Sequence, residues 1–371
     1  MSEDEPVIRL EQTEVHFTSK RLMGLADTKT IKAVDGVTID IHENDVIALV
    51  GESGCGKTTL GKTAIGLQRP TGGRVLYRGQ DIWEAKRHHD KMVKLRRNGD
   101  IRYTYPQIRR SLQIVHQDPG SSLNPNYTIE SLLADPLKRW EPDLTYEDRQ
   151  ERIYGLLEYV GMTPPQDFAA RYPHQLSGGE QQRVALIRSL LLNPDLILAD
   201  EAISALDVSL RVDMMDLMLE LQNQFNTSYL FISHNLSNAR YLAEKADGRI
   251  GIMYMGELVE IGPAEEIITD PKHPYTQLLL WATGSLRQKD ERSGPPVRSI
   301  DIPDLDDPPS GCRFHTRCPE AREACRTEHP DRISIAENHE VGCFREYEDH
   351  EYHDSETLLD EEEKASPFAD G

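Results

Sequence analysis

The chain has 371 residues and a mass of 42.1 kDa, enough for one large domain or two modest ones. It carries 63 Asp and Glu against 42 Lys and Arg, a net charge of -21, which disfavours nucleic acid and anionic membrane as partners. Mean hydropathy is -0.57, no stretch approaches the run of apolar residues that a membrane span requires, and the opening MSEDEPVIRL lacks a basic-then-apolar leader, so an acidic cytoplasmic protein is expected.

In chain order, the segments 8–17, 31–41 and 45–50 alternate or accumulate apolar residues as strands do, with a loop at 18–30 between the first two. From Lys57 the pattern turns helical. Residues 84–110, rich in Arg, Lys, His and Asp, read as a polar helix and a surface excursion whose mixed charge is a solvated face. A helix is expected over 143–160. LILAD (196–200) and SYLFISH (228–234) are short apolar runs suited to buried parallel strands separated by helices. Alternation gives way to Pro-bearing connections over 256–274, a Pro/Asp-rich stretch covers 293–311, and a small cysteine-bearing segment occupies 312–343. Residues 346–371 hold eleven Asp and Glu and one Lys, the composition of a disordered acidic tail.

Two motifs carry chemistry. GESGCGKT at 51–58 fits G-x-x-x-x-G-K-[ST] between a strand and a helix, the context that motif requires. Backbone N–H groups of Gly51, Glu52, Ser53, Gly54, Cys55 and Gly56 would cradle phosphate oxygens. Lys57 would neutralise the β- and γ-phosphates, the Thr58 hydroxyl would ligate magnesium, and Thr59 would hold the α-phosphate of ATP. Cys55 is read as a small residue that fits the loop. The second motif, NPDLILADEAISALD (193–207), is a buried strand delivering Asp200 to magnesium and Glu201 as the base that polarises the attacking water. LSGGEQQR (176–183) adds another nest of N–H groups at Ser177, Gly178, Gly179 and Glu180.

This combination resembles the ATPase subunit of ATP-binding-cassette (ABC) transporters, over roughly 8–265. The resemblance implies an α/β P-loop NTPase fold of the ABC ATPase type: a RecA-like core, an antiparallel β subdomain and a helical subdomain. It implies further that Ser177 to Glu180 act on nucleotide held by an opposing subunit. Gln117 would contact magnesium and the attacking water, Asp207 would cross the dimer interface, His234 would contact the γ-phosphate, and Phe17 would stack on adenine. Ala202 and Asn235 stand where the family usually has Pro and Asp, and neither change removes a phosphate, magnesium or water contact.

HQDPGSSLNP (116–125), DPKHPYTQLLL (270–280) and KAVDGV (32–37) resemble the oligopeptide and dipeptide importer branch. That branch implies two membrane permease subunits, a second related ATPase subunit in a heterodimer, an extracellular binding protein acting indirectly, and a peripheral place on the cytoplasmic membrane face. Nickel or oligosaccharide cargo, or a soluble ABC ATPase without a membrane partner, are the competing readings. The expected organisation is an ATP-binding domain at 8–265, a C-terminal extension at 266–345 and the tail at 346–371. Cys312, Cys318, Cys325 and Cys343 lack the short C-x2-4-C pair usual for zinc. Similar importers carry the same four cysteines, and some bind a [4Fe–4S] cluster there, so a cluster is expected ahead of zinc or free thiols. The extension is too small to hold a core unaided. The 29 Arg against 13 Lys, with so many carboxylates, suit a salt-rich cytoplasm and a halophilic archaeal source.

Overall fold

The computed structural model describes residues 5–19, 29–95, 102–284 and 296–358. In chain order the elements are β1 (Ile8–Ser19), β2 (Lys29–Ile41), β3 (Val46–Val50), α1 (Lys57–Ala64), β4 (Gly72–Tyr77), β5 (Gln80–Asp81), α2 (Ile82–Leu95), α3 (Tyr105–Ser111), β6 (Leu112–His116), α4 (Pro119–Ser122), α5 (Ile129–Trp140), α6 (Tyr146–Tyr159), α7 (Pro165–Ala169), α8 (Gly178–Leu190), β7 (Leu196–Asp200), α9 (Val208–Phe225), β8 (Ser228–Ile232), α10 (Leu236–Lys245), β9 (Arg249–Tyr254), β10 (Glu257–Pro263), α11 (Ala264–Thr269), α12 (Pro274–Ala282), α13 (Glu323–Thr327), β11 (Ile333–Ala336) and β12 (His339–Val341). The segments 20–28, inside the expected loop, and 96–101, inside the expected excursion, lie outside the described residues.

The chain divides into two compact units, one of Met1–Thr13, Thr38–Ala48 and Thr58–Ser233, the other of Glu14–Val37, Leu49–Lys57 and His234–Gly371. In the first, β6 and β8 flank β7 in parallel, with His116 opposite Asp200 and Asp200 opposite Ile232. All five residues of β7 and of β8 are buried, as an apolar run covered on both faces must be. Helix α1 passes so close that a Cβ on Gly61 would stand 2.6 Å from Leu198. Helices α5 and α6 pack on each other and on α8. Their starts are set by sequence: Thr128 caps α5, and Thr145 and Asp148 form a reciprocal capping box on α6.

In the second unit, β9 and β10 form a hairpin turning at Met255 (φ 46) and Gly256 (φ 88), the paired positive φ of a tight hairpin turn. The other edge of β10 takes β12, with Glu260 opposite Val341, and β11 pairs outside β12. The cysteine-bearing segment therefore finds its support in the strand edge of β10. Glu260, fully buried, fixes this arrangement. Its carboxylate accepts from the Lys272 and His273 N–H groups at 2.9 and 3.0 Å, from the Thr276 hydroxyl, and from His339 Nε2 at 3.0 Å. Strand β10, the start of α12 and β12 are thereby tied to one anion, whose burial demands such partners.

The expected disordered tail is corrected for its first half. Tyr352 is buried with Ala324, Cys325 and Phe344, its hydroxyl donates to the Glu320 carbonyl at 2.9 Å, and Leu358 N–H reaches the Ala321 carbonyl. Two tyrosines, 347 and 352, anchor a segment whose acidic composition alone reads as unfolded. Residues 359–371 lie outside the described residues. No helix among the described residues is long and apolar enough to cross a membrane.

Candidate active site

The glycine-rich loop lies in the second unit, directly after β3. Gly51 and Gly56 are required by close approach: a Cβ would fall 2.1 Å from the Met253 carbonyl oxygen at the first and 2.0 Å from that of Ala33 at the second. Gly56 also has φ +107, which a side chain would strain. The turn at Met255–Gly256 braces the loop, since Gly256 N–H donates to the Cys55 carbonyl and Asp35 N–H to that of Gly256. Lys57 is 5% exposed, and its ammonium donates to the Gly51 and Glu52 carbonyls at 2.8 and 2.9 Å and toward Cys55 Sγ at 3.6 Å. Cys55 is buried, and burial raises its thiol pKa, so it fills space as expected and is a poor nucleophile. Ser53 and Gly54 are exposed.

The carboxylates lie in the first unit. Asp200 ends β7 and accepts from the Thr58 hydroxyl at 2.9 Å. A hydroxyl and a carboxylate oxygen so placed are the hard donors that magnesium takes. Glu201 follows with φ 50, a left-handed conformation costly for a non-glycine residue and concentrated at functional sites. Its N–H donates to the Ile232 carbonyl and its own carbonyl accepts from Ser204, so the strained turn is held at both ends. Thr59 is half-buried in α1, and Gln117 is exposed just past β6.

Ser177 caps α8. Its hydroxyl accepts from Glu180 N–H at 3.3 Å, and the Glu180 carboxylate accepts from Ser177 N–H at 2.7 Å. That N–H bond holds the Glu180 carboxyl below its usual range. Gly178 and Gly179 thus form the first turn of a helix whose open end can meet an anion. Asp207 similarly caps α9 through Leu210 N–H at 3.0 Å, leaving Val208 74% exposed beside it. In the second unit, His234 is exposed ahead of α10, which Asn235 caps, and Phe17 on β1 is 45% exposed, available for stacking.

Cys312, Cys318, Cys325 and Cys343 line one small cavity with His273, Phe314, His315 and Phe344. Burial pushes the Cys318 and Cys343 thiols up to about 12 and raises those of Cys312 and Cys325. No disulfide joins them. Among the described residues, no group of three or more His, Cys, Asp or Glu is arranged to hold a metal ion. His315 is committed to the Cys312 carbonyl at 2.8 Å, and His339 to Glu260 and Glu266.

Two residues beside the loop escape sequence reasoning: Arg317 carries no motif, and nothing in DPKHPYTQLLL places its Tyr275 there. Arg317 reaches Glu52 with both terminal nitrogens, each at 3.0 Å, and the Tyr275 hydroxyl accepts from Glu52 N–H at 2.9 Å. The one available signal was an arginine next to a cysteine of the extension.

A glycine-rich loop after a buried strand, closed by Lys57, and an aspartate at a strand end bonded to Thr58 are the elements of a P-loop nucleotide-binding protein. Residues 34–204 match the ABC transporter family, and residues 259–325 match the oligopeptide/dipeptide transporter C-terminal region. The oligopeptide transport ATP-binding protein AppF of Bacillus subtilis is 39% identical over 343 residues, 91% of this chain and 97% of its own length. The dipeptide transport ATP-binding protein DppF of Escherichia coli is 38% identical over 314 residues, 85% of this chain and 87% of its own. A dimeric post-hydrolysis structure of the ATP-binding cassette MJ0796, bound to ADP and Pi, is 27% identical with a TM-score of 0.54, covering 69% of this chain and 98% of that one. The chain belongs to the ABC transporter ATP-binding proteins, in the branch bearing the oligopeptide/dipeptide C-terminal region. It is an ATPase of the transport-coupled kind, and members of its family work with membrane permease subunits.

Proposed function

We propose that this chain powers uptake of oligopeptides or dipeptides, working with two permease subunits and a second, related ATPase subunit at the cytoplasmic membrane face. The hydrogen bond from Thr58 to Asp200 carries the ATPase assignment; the C-terminal region at 259–325 supports the cargo class. Lys57 and the N–H groups of residues 51–59 bind the phosphates. Thr58, Asp200 and Gln117 would hold magnesium, whose charge would offset that developing on the phosphoryl oxygens. Glu201 takes the proton of the attacking water and His234 orients that water. Phe17 stacks on adenine. Ser177 to Glu180 close on nucleotide bound by the opposite subunit, and Asp207 with the exposed Val208 crosses to it. The intact importer carrying Glu201→Gln is expected to retain ATP and lose both hydrolysis and uptake of labelled peptide. Persistent steady hydrolysis would remove Glu201 from its role.

The domain assignment follows the same reading: an ATP-binding domain at 8–265, then the extension at 266–345. For the extension we favour a structural [4Fe–4S] cluster on Cys312, Cys318, Cys325 and Cys343. The support is that the four thiols line one cavity and that a [4Fe–4S] cluster takes four cysteine thiolates. Iron and acid-labile sulfide in anaerobically purified protein, with a visible spectrum, test it; zinc alone would refute it. The net charge of -21 supports a halophilic archaeal source, tested by whether molar KCl raises the melting temperature.

A further inference from the structure

The extension touches the phosphate loop through Arg317. The guanidinium is buried, lies 5.7 Å from the ring centroid of Tyr254 and 5.6 Å from that of Phe314, and forks onto the Glu52 carboxylate with two bonds of 3.0 Å. Tyr275, on α12, takes the Glu52 N–H at 2.9 Å and packs on Tyr254 and Phe314. Glu52 is therefore gripped by both its side chain and its backbone. The residue after Arg317 is Cys318, whose thiol lines the four-cysteine cavity, and Phe314 belongs both to that cavity and to the aromatic cage. Leu305 of the extension also approaches Gly54.

Glu52 sits within the loop that is read here as the seat of a polyphosphate, and the inference rests on that reading. A carboxylate there repels the phosphates unless its charge is answered. A bidentate guanidinium answers it and, being buried, is little weakened by salt. A lysine would give the charge without the fork. We infer that Arg317 is a positioning residue for ATP binding: it neutralises Glu52 and holds the loop open to phosphate, so that the cysteine-bearing extension is part of the nucleotide site.

The test uses the full chain carrying Glu201→Gln, with Mg-ATP as the probe. If that parent fails to bind Mg-ATP, the ATP reading itself falls. If it binds, Arg317→Met is expected to raise the Kd about tenfold, and adding Glu52→Gln is expected to restore most of the loss by removing the unanswered charge. In the hydrolysing chain, Arg317→Met should raise KM with kcat little changed. A Kd within about twofold of the parent, or no recovery on adding Glu52→Gln, overturns the inference, since a merely structural arginine would not be rescued by neutralising Glu52. Arg317→Lys serves should the methionine variant misfold, and its Kd is expected between those of the parent and a full loss; parental affinity there refutes the need for the fork.

Discussion

The Thr58 hydroxyl donates to Oδ1 of Asp200 at 2.9 Å, so the first turn of α1 and the last residue of β7 share one hydrogen bond. The bond makes the two side chains a preformed pair of oxygen donors. Asp200→Asn is expected to lower magnesium-dependent hydrolysis by about a hundredfold, while nucleotide binding in EDTA changes little. Equal loss of binding in EDTA would mean that the pair serves folding alone.

Ser177 has two separable duties. As the cap of α8 it accepts Glu180 N–H, and Ser177→Ala should cost about 1 kcal/mol in denaturant unfolding of the isolated chain. Ser177→Asp restores a capping oxygen and with it the stability, yet places a negative charge where the opposing phosphate belongs. Hydrolysis by the assembled importer should be lost in both variants. Recovery of turnover in the Asp variant would show that only the cap matters.

Burial alone would lower the His339 pKa, but its hydrogen bonds to Glu260 and Glu266 outweigh that and raise it above 6.5. A group raised by folding stabilises fully below its unfolded pKa, and the contribution fades as pH climbs through the folded value. The melting temperature is therefore expected to fall as pH rises above about 6.5, and His339→Asn should flatten that slope while lowering stability on the acidic side. An unchanged slope in the variant would assign the effect to other groups.

Tyr352 packs with Ala324, Cys325 and Phe344 and should hold residues 346–358 in place. Tyr352→Ala is expected to cost roughly 3 kcal/mol and to open this segment to proteases before the rest of the chain. Simultaneous cleavage throughout would place the segment within the global unfolding unit.

The nucleotide motifs were legible because each is local. LILAD and SYLFI are short, mostly apolar strands buried along their whole length, and Gly51 and Gly56 answer backbone contacts that no other residue fits. The expected 143–160 helix runs over Tyr146–Tyr159, its start fixed by Thr145 and Asp148. What stayed hidden depends on residues far apart in sequence. The pairing of Glu260 with Val341 leaves no periodic trace. Arg317 looks like any surface arginine until Glu52 is brought to it. In 346–358 the eye weighs the carboxylates and passes over Tyr347 and Tyr352, which decide the outcome.

The strand pair β10–β12 also imposes an order of events on synthesis. Strand β10 leaves the ribosome beside β9 with its second edge bare, and the partner for that edge lies about eighty residues downstream. Local hairpins close in microseconds, whereas a polypeptide elongates by only about 5–20 residues per second. For several seconds, then, each nascent chain displays an unpaired strand edge able to capture a neighbour's. Glu257 and Glu260 on that strand put negative charge on the bare edge during the interval, which discourages pairing between two copies until the native partner emerges.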